Sequence, residues 1–310
     1  MGAGDPARLG ASASARGPQI DFAAFMADAN GSFRYRGHRI AYEVHGEGDR
    51  ALVLIHGLLM NRRMYDHLAP EMAARGNRVI TVDLLGHGES DKPADMRIYA
   101  MGSLASQAAA LVDHLGLQAP VVGGTSLGAN VALELAVHHP DSAGALFIEM
   151  PVLEDALLGA AMIFTPILVG LRFGKPLLSA ASQALQRVPR TNYLLDIGLD
   201  WLRRDPDSSR AVLEGILFGG AAPPREERQR IEHPALVIGH PNDPLHPFSD
   251  AGMLVEEVPN ARLVNANSIL EWRLTPGRLD DELAGFLDQV FANPQQRGAR
   301  PARAASDLAG

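Results

Sequence analysis

Apolar runs alternate with helix-like segments along most of the chain, between about residues 33 and 292. The runs are short and rich in Val, Ile and Leu, and the segments between them repeat apolar residues every three or four positions. Parallel strands need helical crossovers and are buried on both faces, so this alternation predicts an α/β fold with a mainly parallel sheet covered by helices. In chain order, the predicted central strands lie at residues 52–55, 78–83, 119–122, 145–150, 235–239 and 262–264.

Glycine and proline mark the ends of the predicted helices. One helix over residues 62–75 stops at Gly76, and another that starts at Ser103 stops at Gly116. A closing helix begins at Thr275 and Pro276. Ahead of the first central strand, two strand-like runs flank Gly37 and His38, which predicts a β-hairpin.

The alternation lapses between Pro151 and about Ile231, where the composition is helical and prolines recur. This pattern predicts several short helices separated by turns. The longest uncharged apolar run, Ala156 to Leu171, is shorter than the roughly 20 residues that span a bilayer, and it contains Pro166. We therefore expect a buried helix here and no stable membrane insertion.

Composition narrows the functional classes. The chain has 310 residues, of which 46% are hydrophobic and 21% charged, enough for one large core or for one core plus a small appended domain. A net charge of −8 argues against a nucleic-acid partner, which needs a basic face. The absence of cysteine excludes disulfides and thiolate metal sites and fits a cytoplasmic location. No dinucleotide fingerprint, P-loop or His/Cys ligand cluster is present, so no cofactor or metal is expected.

The stretch from Val121 to Asn130 has the form of a strand, a turn and a helix, with glycines at 124 and 128 around Ser126. A serine at such a turn is strained and lifted clear of the sheet edge. The following amide, that of Leu127, and the start of the helix point towards any oxyanion formed nearby. Ser126 is therefore the candidate nucleophile.

Three further motifs agree with this one in order and spacing. They are the strand and His-Gly turn at residues 52–58, the D-x-x-G-x-G-x-S turn at residues 83–90, and the strand and loop at residues 236–244. With these motifs the chain resembles the capped, serine-nucleophile members of the α/β-hydrolase superfamily. The resemblance implies an α/β-hydrolase fold and a structural role for His56 and His87.

The resemblance also implies roles for individual residues and boundaries along the chain. The amides of Leu58 and Leu127 form the oxyanion hole, and Asp243 is the acid of the triad. The core is then residues 32–150 and 232–293, and a helical cap of residues 151–231 lies over the site. Residues 1–31 are expected to form a disordered leader and residues 294–310 a disordered tail.

The family's catalytic histidine is missing from its usual place after the last strand. Residues 265–273 contain no histidine, and none follows His246 in the chain. Two substitutes are conceivable: His246, three residues after Asp243, or Glu271, which falls at the usual position in one alignment. His240 is a weaker candidate that we expect to pack within its loop.

The functional prediction is a serine hydrolase acting on a small hydrophobic ester or related carbonyl compound, with an atypical or impaired base. Serine at the elbow argues against epoxide hydrolysis and dehalogenation, which would use aspartate there. Two alternatives stay open at this point: a non-catalytic protein that keeps the pocket to bind a ligand, and a lyase that uses the same pocket. Substrate identity and oligomeric state are not predicted by these residues.

Overall fold

The structure, a computed structural model, describes residues 30–188, 202–203 and 205–293. Within this part, eight strands form one sheet in the order β1-β2-β4-β3-β5-β6-β7-β8. The strands are β1 (Asn30–Tyr35), β2 (His38–His45), β3 (Ala51–Ile55), β4 (Arg78–Asp83), β5 (Val121–Thr125), β6 (Ala145–Glu149), β7 (Ala235–Gly239) and β8 (Ala261–Asn265).

The predicted hairpin is confirmed: β1 pairs antiparallel with β2, and β2 pairs antiparallel with β4. All remaining pairs in the sheet are parallel. Strand β3 lies between β4 and β5, so the chain runs outwards from β3 in both directions. In open α/β sheets, the crevice outside the carboxyl ends of strands at such a reversal is where ligands bind.

Helices cover both faces of the sheet. Leu52 and Leu54 point to the face covered by α1 (Leu68–Ala74) and α10 (Gly277–Ala292). Val53 and Ile55 point to the face covered by α2 (Met101–His114), α3 (Leu127–His138) and α8 (Phe248–Glu257). All four side chains are fully buried, as expected for a parallel strand with helices on both sides. The helices over the core are α1 (Leu68–Ala74), α2 (Met101–His114), α3 (Leu127–His138), α8 (Phe248–Glu257), α9 (Glu271–Leu274) and α10 (Gly277–Ala292).

Residues between β6 and β7 form an inserted group of helices. Its described helices are α4 (Ala156–Phe173), α5 (Lys175–Gln186), α6 (Pro206–Gly219) and α7 (Arg225–Arg228). The expectation of several helices is thus met, but α4 continues through Pro166 for 18 residues.

The expectation that the Ala156–Leu171 run is buried is wrong. Only 11% of α4 is buried, and by length and composition alone the helix could cross a membrane. Its outer side chains find no packing partner among the described residues, because the described helices of the insertion cover one side of α4 only.

Three polar side chains attach the insertion to the core. Asn130 in α3 donates to the carbonyls of Val152 and Ala221, near the two ends of the insertion, at 2.7 Å each. The buried Asp250 carboxylate accepts the amides of residues 153, 155 and 156, which fixes the start of α4. Arg228 in α7 lies 2.6 Å from the Glu257 carboxylate of α8.

Two boundaries differ from those predicted. Strand β1 begins at Asn30, inside the predicted leader of residues 1–31, because pairing with β2 extends to Glu43. The rest of that leader and the predicted tail of residues 294–310 lie outside the described residues. The predicted helix over residues 62–75 is divided into a 3₁₀ turn, Arg62–Tyr65, and α1.

Candidate active site

Ser126 occupies a sharp turn between β5 and α3. Its backbone has φ 55° and ψ −109°, a left-handed region that costs energy for any residue with a side chain. Both flanking glycines are required, because a Cβ added at Gly124 or at Gly128 would lie 1.9 Å from the Ile55 carbonyl oxygen. Strand β3 thus passes so close to both arms of the turn that only the G-x-S-x-G pattern fits.

The structure brings Ser126 together with His246 and Asp243. The Ser126 Oγ lies 2.9 Å from His246 Nε2, and His246 Nδ1 lies 2.9 Å from an oxygen of Asp243. An ionised carboxylate only accepts hydrogen bonds, so Nδ1 carries the proton and Nε2 of the neutral ring is free to accept from the serine. The three side chains therefore form a continuous hydroxyl, imidazole and carboxylate chain.

Asp243 and His246 lie on the same loop, between β7 and α8. The second Asp243 oxygen accepts the amides of Leu245 and His246 at 2.9 and 3.0 Å, which folds the loop back on itself. Burial would raise the pKa of Asp243, but the hydrogen bond from His246 and these two amides outweigh it and lower the pKa. The carboxylate stays ionised and can hold the imidazole in one orientation.

A cavity of about 370 Å³ opens directly over the Ser126 hydroxyl. Its polar side chains are those of Ser126, Asn130 and His246, and the rest of the lining is apolar. Both the core and the insertion contribute to it, with Leu58, Met101 and Leu127 on one side and Leu157, Phe164 and Ile216 on the other. This size and lining are typical of a site for a small apolar molecule.

Leu58 and Leu127 both line this cavity beside Ser126. Leu127 is the first residue of α3, so its amide has no carbonyl to bond within the helix. Leu58 follows the turn at Gly57, which is closed by a 3.1 Å bond from the Met60 amide to the Gly57 carbonyl. The two residues that the resemblance assigns to an oxyanion hole thus line the same cavity as the candidate nucleophile.

His56 and His87 lie in the protein interior below the cavity. The Leu84 amide donates to His56 Nε2 at 3.2 Å, and His56 Nδ1 lies 2.9 Å from the Gly57 carbonyl. The ring centroids of His56 and His87 are 4.5 Å apart with the rings tilted by 43°, and both side chains are fully buried. They hold the loops that follow β3 and β4 next to each other, as expected for a structural role.

Glu271 does not take the place of a base, and the expectation that it could is wrong on geometry. Its carboxylate is held by Arg278 at 2.7 and 2.9 Å and by the Asn267 side chain at 3.0 Å. The hydrogen bond from Arg278 lowers the pKa of Glu271, which keeps it ionised. It is not among the residues that line the cavity, and Asp243, not Glu271, orients His246.

A second acid and histidine pair, not predicted from the sequence, lies beneath the elbow. Glu149 at the end of β6 is 3.2 Å from His240 Nε2 and 3.6 Å from the Arg273 guanidinium. Thr125, the residue before the serine, donates its hydroxyl to Glu149. The Ser126 amide in turn donates to the Glu149 carbonyl at 2.8 Å. We call the three ionisable residues Glu149, His240 and Arg273 the buried charge cluster.

The charges of this cluster follow from its contacts. Burial would raise the pKa of Glu149, but Arg273 and His240 lower it to about 2. Burial would lower the pKa of His240, but Glu149 and the Ser268 carbonyl, 3.0 Å from Nδ1, raise it. Both ring nitrogens face acceptors, so the imidazolium form is favoured. The only sequence signal for this cluster is a carboxylate at the end of an otherwise apolar strand, residues 145–149.

Comparison with known proteins gives related sequences for part of the chain. A family model described as alpha/beta hydrolase fold matches residues 50–185. The AB hydrolase superfamily protein YisY of Bacillus subtilis is 32% identical over 111 residues, which cover 33% of this chain and 40% of that protein. The 2-hydroxymuconate semialdehyde hydrolase of Pseudomonas putida is 28% identical over 205 residues, 62% of this chain and 69% of that protein. The match to the first of these relatives therefore spans less than half of its length.

Solved structures match over more of the chain. A hydrolase from Pseudomonas aeruginosa PA01 superposes with a TM-score of 0.69 at 21% identity, covering 84% of this chain and 99% of its own. An enol-lactonase from Burkholderia xenovorans LB400 gives 0.65 at 21% identity, covering 85% and 100%. At this identity the structures support the fold alone. Taken with the family model over residues 50–185, they show that the chain has the α/β-hydrolase fold.

Proposed function

We propose that this protein is a serine hydrolase that cleaves small hydrophobic esters, with His246 as its base. One observation carries the proposal: the Ser126 hydroxyl lies 2.9 Å from His246 Nε2, while Asp243 accepts from the other ring nitrogen. A serine hydroxyl is a weak nucleophile at neutral pH and becomes effective only with such a base. The missing histidine after β8 is thus replaced from the loop after β7.

In the first half of the proposed reaction, the Ser126 oxygen attacks the ester carbonyl as its proton moves to His246 Nε2. The imidazolium that forms is stabilised by the ionised Asp243. The amides of Leu58 and Leu127 donate to the oxygen that becomes negative in the tetrahedral intermediate. His246 then returns the proton to the departing alcohol, which leaves the acyl group on Ser126.

In the second half, a water molecule takes the place of the alcohol. His246 removes a proton from this water as its oxygen attacks the acyl carbon, and a second tetrahedral intermediate forms at the same amides. Its collapse releases the carboxylic acid and returns the proton to Ser126. Both halves need the same base within hydrogen-bond reach of the nucleophile, which is the geometry seen at Ser126 and His246.

The cavity supports a substrate that is mostly apolar. Only Ser126, Asn130 and His246 bring polar side chains to it, and the Asn130 amide is engaged with the carbonyls of Val152 and Ala221. A charged substrate group would lose its hydration there without a compensating partner. An uncharged ester with a short alkyl or aryl group suits the volume of about 370 Å³.

The alternative of a non-catalytic binding protein depended on the absence of a histidine near the serine. His246 at 2.9 Å from Ser126 removes that argument. No contact among the described residues favours a lyase over acyl transfer. The hydrolase proposal is therefore the one that the geometry supports best.

Labelling with a fluorophosphonate probe tests the proposal, because the probe reacts only with a serine that a base has activated. We expect the full chain to be labelled, Ser126→Ala to be inert and His246→Gln to be labelled at least about 100-fold more slowly. His138→Gln is the matched control, since His138 is half exposed on the far end of α3. Equal labelling rates in the two histidine variants would contradict the assignment of His246 as base.

A further inference from the structure

Helix α4 is apolar on both sides, which is unusual for a helix at a protein surface. No charged residue occurs between Ala156 and Leu171. A helix that is hydrophobic all round is normally enclosed by protein or by lipid. Here only 11% of α4 is buried, so the described protein encloses one side and leaves the other without cover.

The uncovered side is a continuous stripe. It runs along α4, where its large members are four or seven positions apart and so lie on one face, and it continues onto the first turn of α5. We call it the outer stripe; its large members and their exposed fractions are Leu158 (71%), Met162 (64%), Val169 (50%), Phe173 (77%) and Leu177 (76%). Exposed apolar surface of this extent marks a site of interaction.

The opposite side of α4 belongs to the protein. Phe164, Ile167 and Leu168 pack against the core, and Leu171 is buried. The start of the helix is held by the Asp250 carboxylate. With one side fixed in this way, α4 cannot leave the protein to span a bilayer. It can only lie in the plane of a surface with its outer stripe immersed.

We infer that the outer stripe docks the protein onto a zwitterionic phospholipid surface, with α4 lying in the interface. A protein partner is disfavoured because a protein interface normally also has a polar rim and about one hydrogen bond per 100–200 Å², whereas the large members of the stripe carry no N–H or O–H donor. A lipid surface needs only apolar contact, which Leu158, Met162 and Phe173 supply.

Charges around the stripe agree with this orientation. Basic side chains follow its C-terminal half: Arg172 lies 3.7 Å from Glu214, and Lys175 lies 2.6 Å from Asp207. Both heads are paired with carboxylates of α6, so they add little attraction for an anionic surface. The net charge of −8 opposes a strongly anionic membrane, so we assign a zwitterionic surface.

The outer stripe is also continuous with the cavity over Ser126. Leu157, Ala160 and Phe164 of the same helix line that cavity, and Leu157 is itself 48% exposed. A hydrophobic molecule dissolved in the lipid would therefore have an apolar path along α4 to the cavity that contains the serine. Docking itself does not depend on the proposed hydrolysis, so Ser126→Ala is expected to bind the surface as the unaltered chain does.

Flotation with phosphatidylcholine vesicles in a sucrose gradient tests the inference. We expect the full chain to float with the vesicles and the bound fraction of Met162→Glu/Phe173→Glu to fall about tenfold. Leu270→Glu/Leu274→Glu adds the same charge at exposed leucines outside the insertion and should float like the unaltered chain. Replacing part of the phosphatidylcholine with phosphatidylglycerol should not strengthen binding.

A variant that keeps the stripe apolar guards against misfolding of the glutamate variant. Phe173→Trp should bind vesicles, and brominated phosphatidylcholine should quench its fluorescence more than that of the unaltered chain. A chain that does not float overturns the inference, as does binding that requires anionic lipid and disappears in salt. A dimer in lipid-free solution that Met162→Glu/Phe173→Glu separates would assign the stripe to a second copy instead.

Discussion

Two pairs of a carboxylate and a histidine lie close to Ser126 in space. They differ in the group that the second ring nitrogen of each histidine faces. Asp243 and His246 are 2.9 Å apart, and Glu149 and His240 are 3.2 Å apart. His246 directs its other nitrogen at the serine hydroxyl, whereas His240 directs its other nitrogen at the Ser268 carbonyl. Only His246 can therefore accept a proton from a nucleophile.

The surroundings of the two pairs reinforce this difference. His246 is on a loop, keeps a small exposed fraction and lines the cavity. His240 is fully enclosed, and Arg273 adds a second positive charge beside Glu149. Because its two ring nitrogens face an anion and a carbonyl, His240 has no nitrogen directed at the serine hydroxyl and cannot act as its base. The comparison teaches that an acid and a histidine in contact do not define a catalytic site without a free nitrogen and a cavity.

Replacing His246 is expected to have the largest effect on activity. His246→Gln removes the base, so kcat for a p-nitrophenyl ester should fall about 10⁴- to 10⁶-fold, to the level left by the oxyanion hole and binding. The free energy of unfolding should change much less, because the glutamine amide can still donate to Asp243. Steady-state kinetics and urea unfolding of the same preparation measure the two effects.

His240→Gln, in the buried pair, is expected to show the opposite pattern to His246→Gln. It should lower the free energy of unfolding while kcat stays within about tenfold of the unaltered chain, because the triad geometry does not include it. If His240→Gln abolished turnover and His246→Gln did not, the roles assigned to the two histidines would have to be exchanged.

Replacing Asp243 is expected to have the next largest effect. Asp243→Asn keeps the shape of the side chain but presents an amide that favours the wrong tautomer of His246. By analogy with the serine protease triad, kcat should fall about 10⁴-fold. Glu271→Gln is the control, since Glu271 bonds Arg278 and lies outside the cavity lining. A larger loss of kcat in Glu271→Gln than in Asp243→Asn would revive Glu271 as the partner of the base.

Much of this arrangement follows from local sequence pattern. The elbow is predictable because a strand, two glycines and a helix meet within ten residues, and Gly124 and Gly128 are required by one carbonyl, that of Ile55. His246 could be proposed because it is close to Asp243 in sequence, and loop residues three apart can share hydrogen bonds. Local patterns of this kind predicted the fold, the nucleophile and the candidate base.

The buried charge cluster could not be predicted in the same way. Glu149, His240 and Arg273 come from three distant parts of the chain and meet only after β6, β7 and α9 have packed. The exposure of α4 was also missed, because an apolar run indicates a helix but not what surrounds it. Long-range contacts and the surroundings of a helix need the tertiary structure.

Glu149→Gln should have a smaller effect than the triad substitutions when both are expressed as free energies, and it should act on stability instead of kcat. The substitution removes the only anion of the buried charge cluster, so His240 and Arg273 lose the carboxylate that both of them contact. Removing one partner of a buried pair typically costs about 3–5 kcal/mol, so we expect a loss of that size in the free energy of unfolding, measured in urea. Glu271→Gln is a matched control, because its partner Arg278 is 41% exposed and its ion pair is weakened by solvent. Equal losses in the two variants would contradict the difference in burial.

The smallest expected effect is on the pH dependence of stability. Contacts with Glu149 and Ser268 raise the pKa of His240 above that of an unfolded chain, about 6.5, although Arg273 opposes them. Below pH 6.5 the histidine is protonated in both states and its contribution is complete. As pH rises through the raised pKa, the folded state must release the proton, and the contribution is lost with a slope of at most about 1.4 kcal/mol per pH unit. Urea unfolding between pH 6 and 8.5 should therefore reveal a decline that His240→Gln lacks. A decline of equal slope in both proteins would mean that another group titrates, and His240 would then not be the charged member of the cluster.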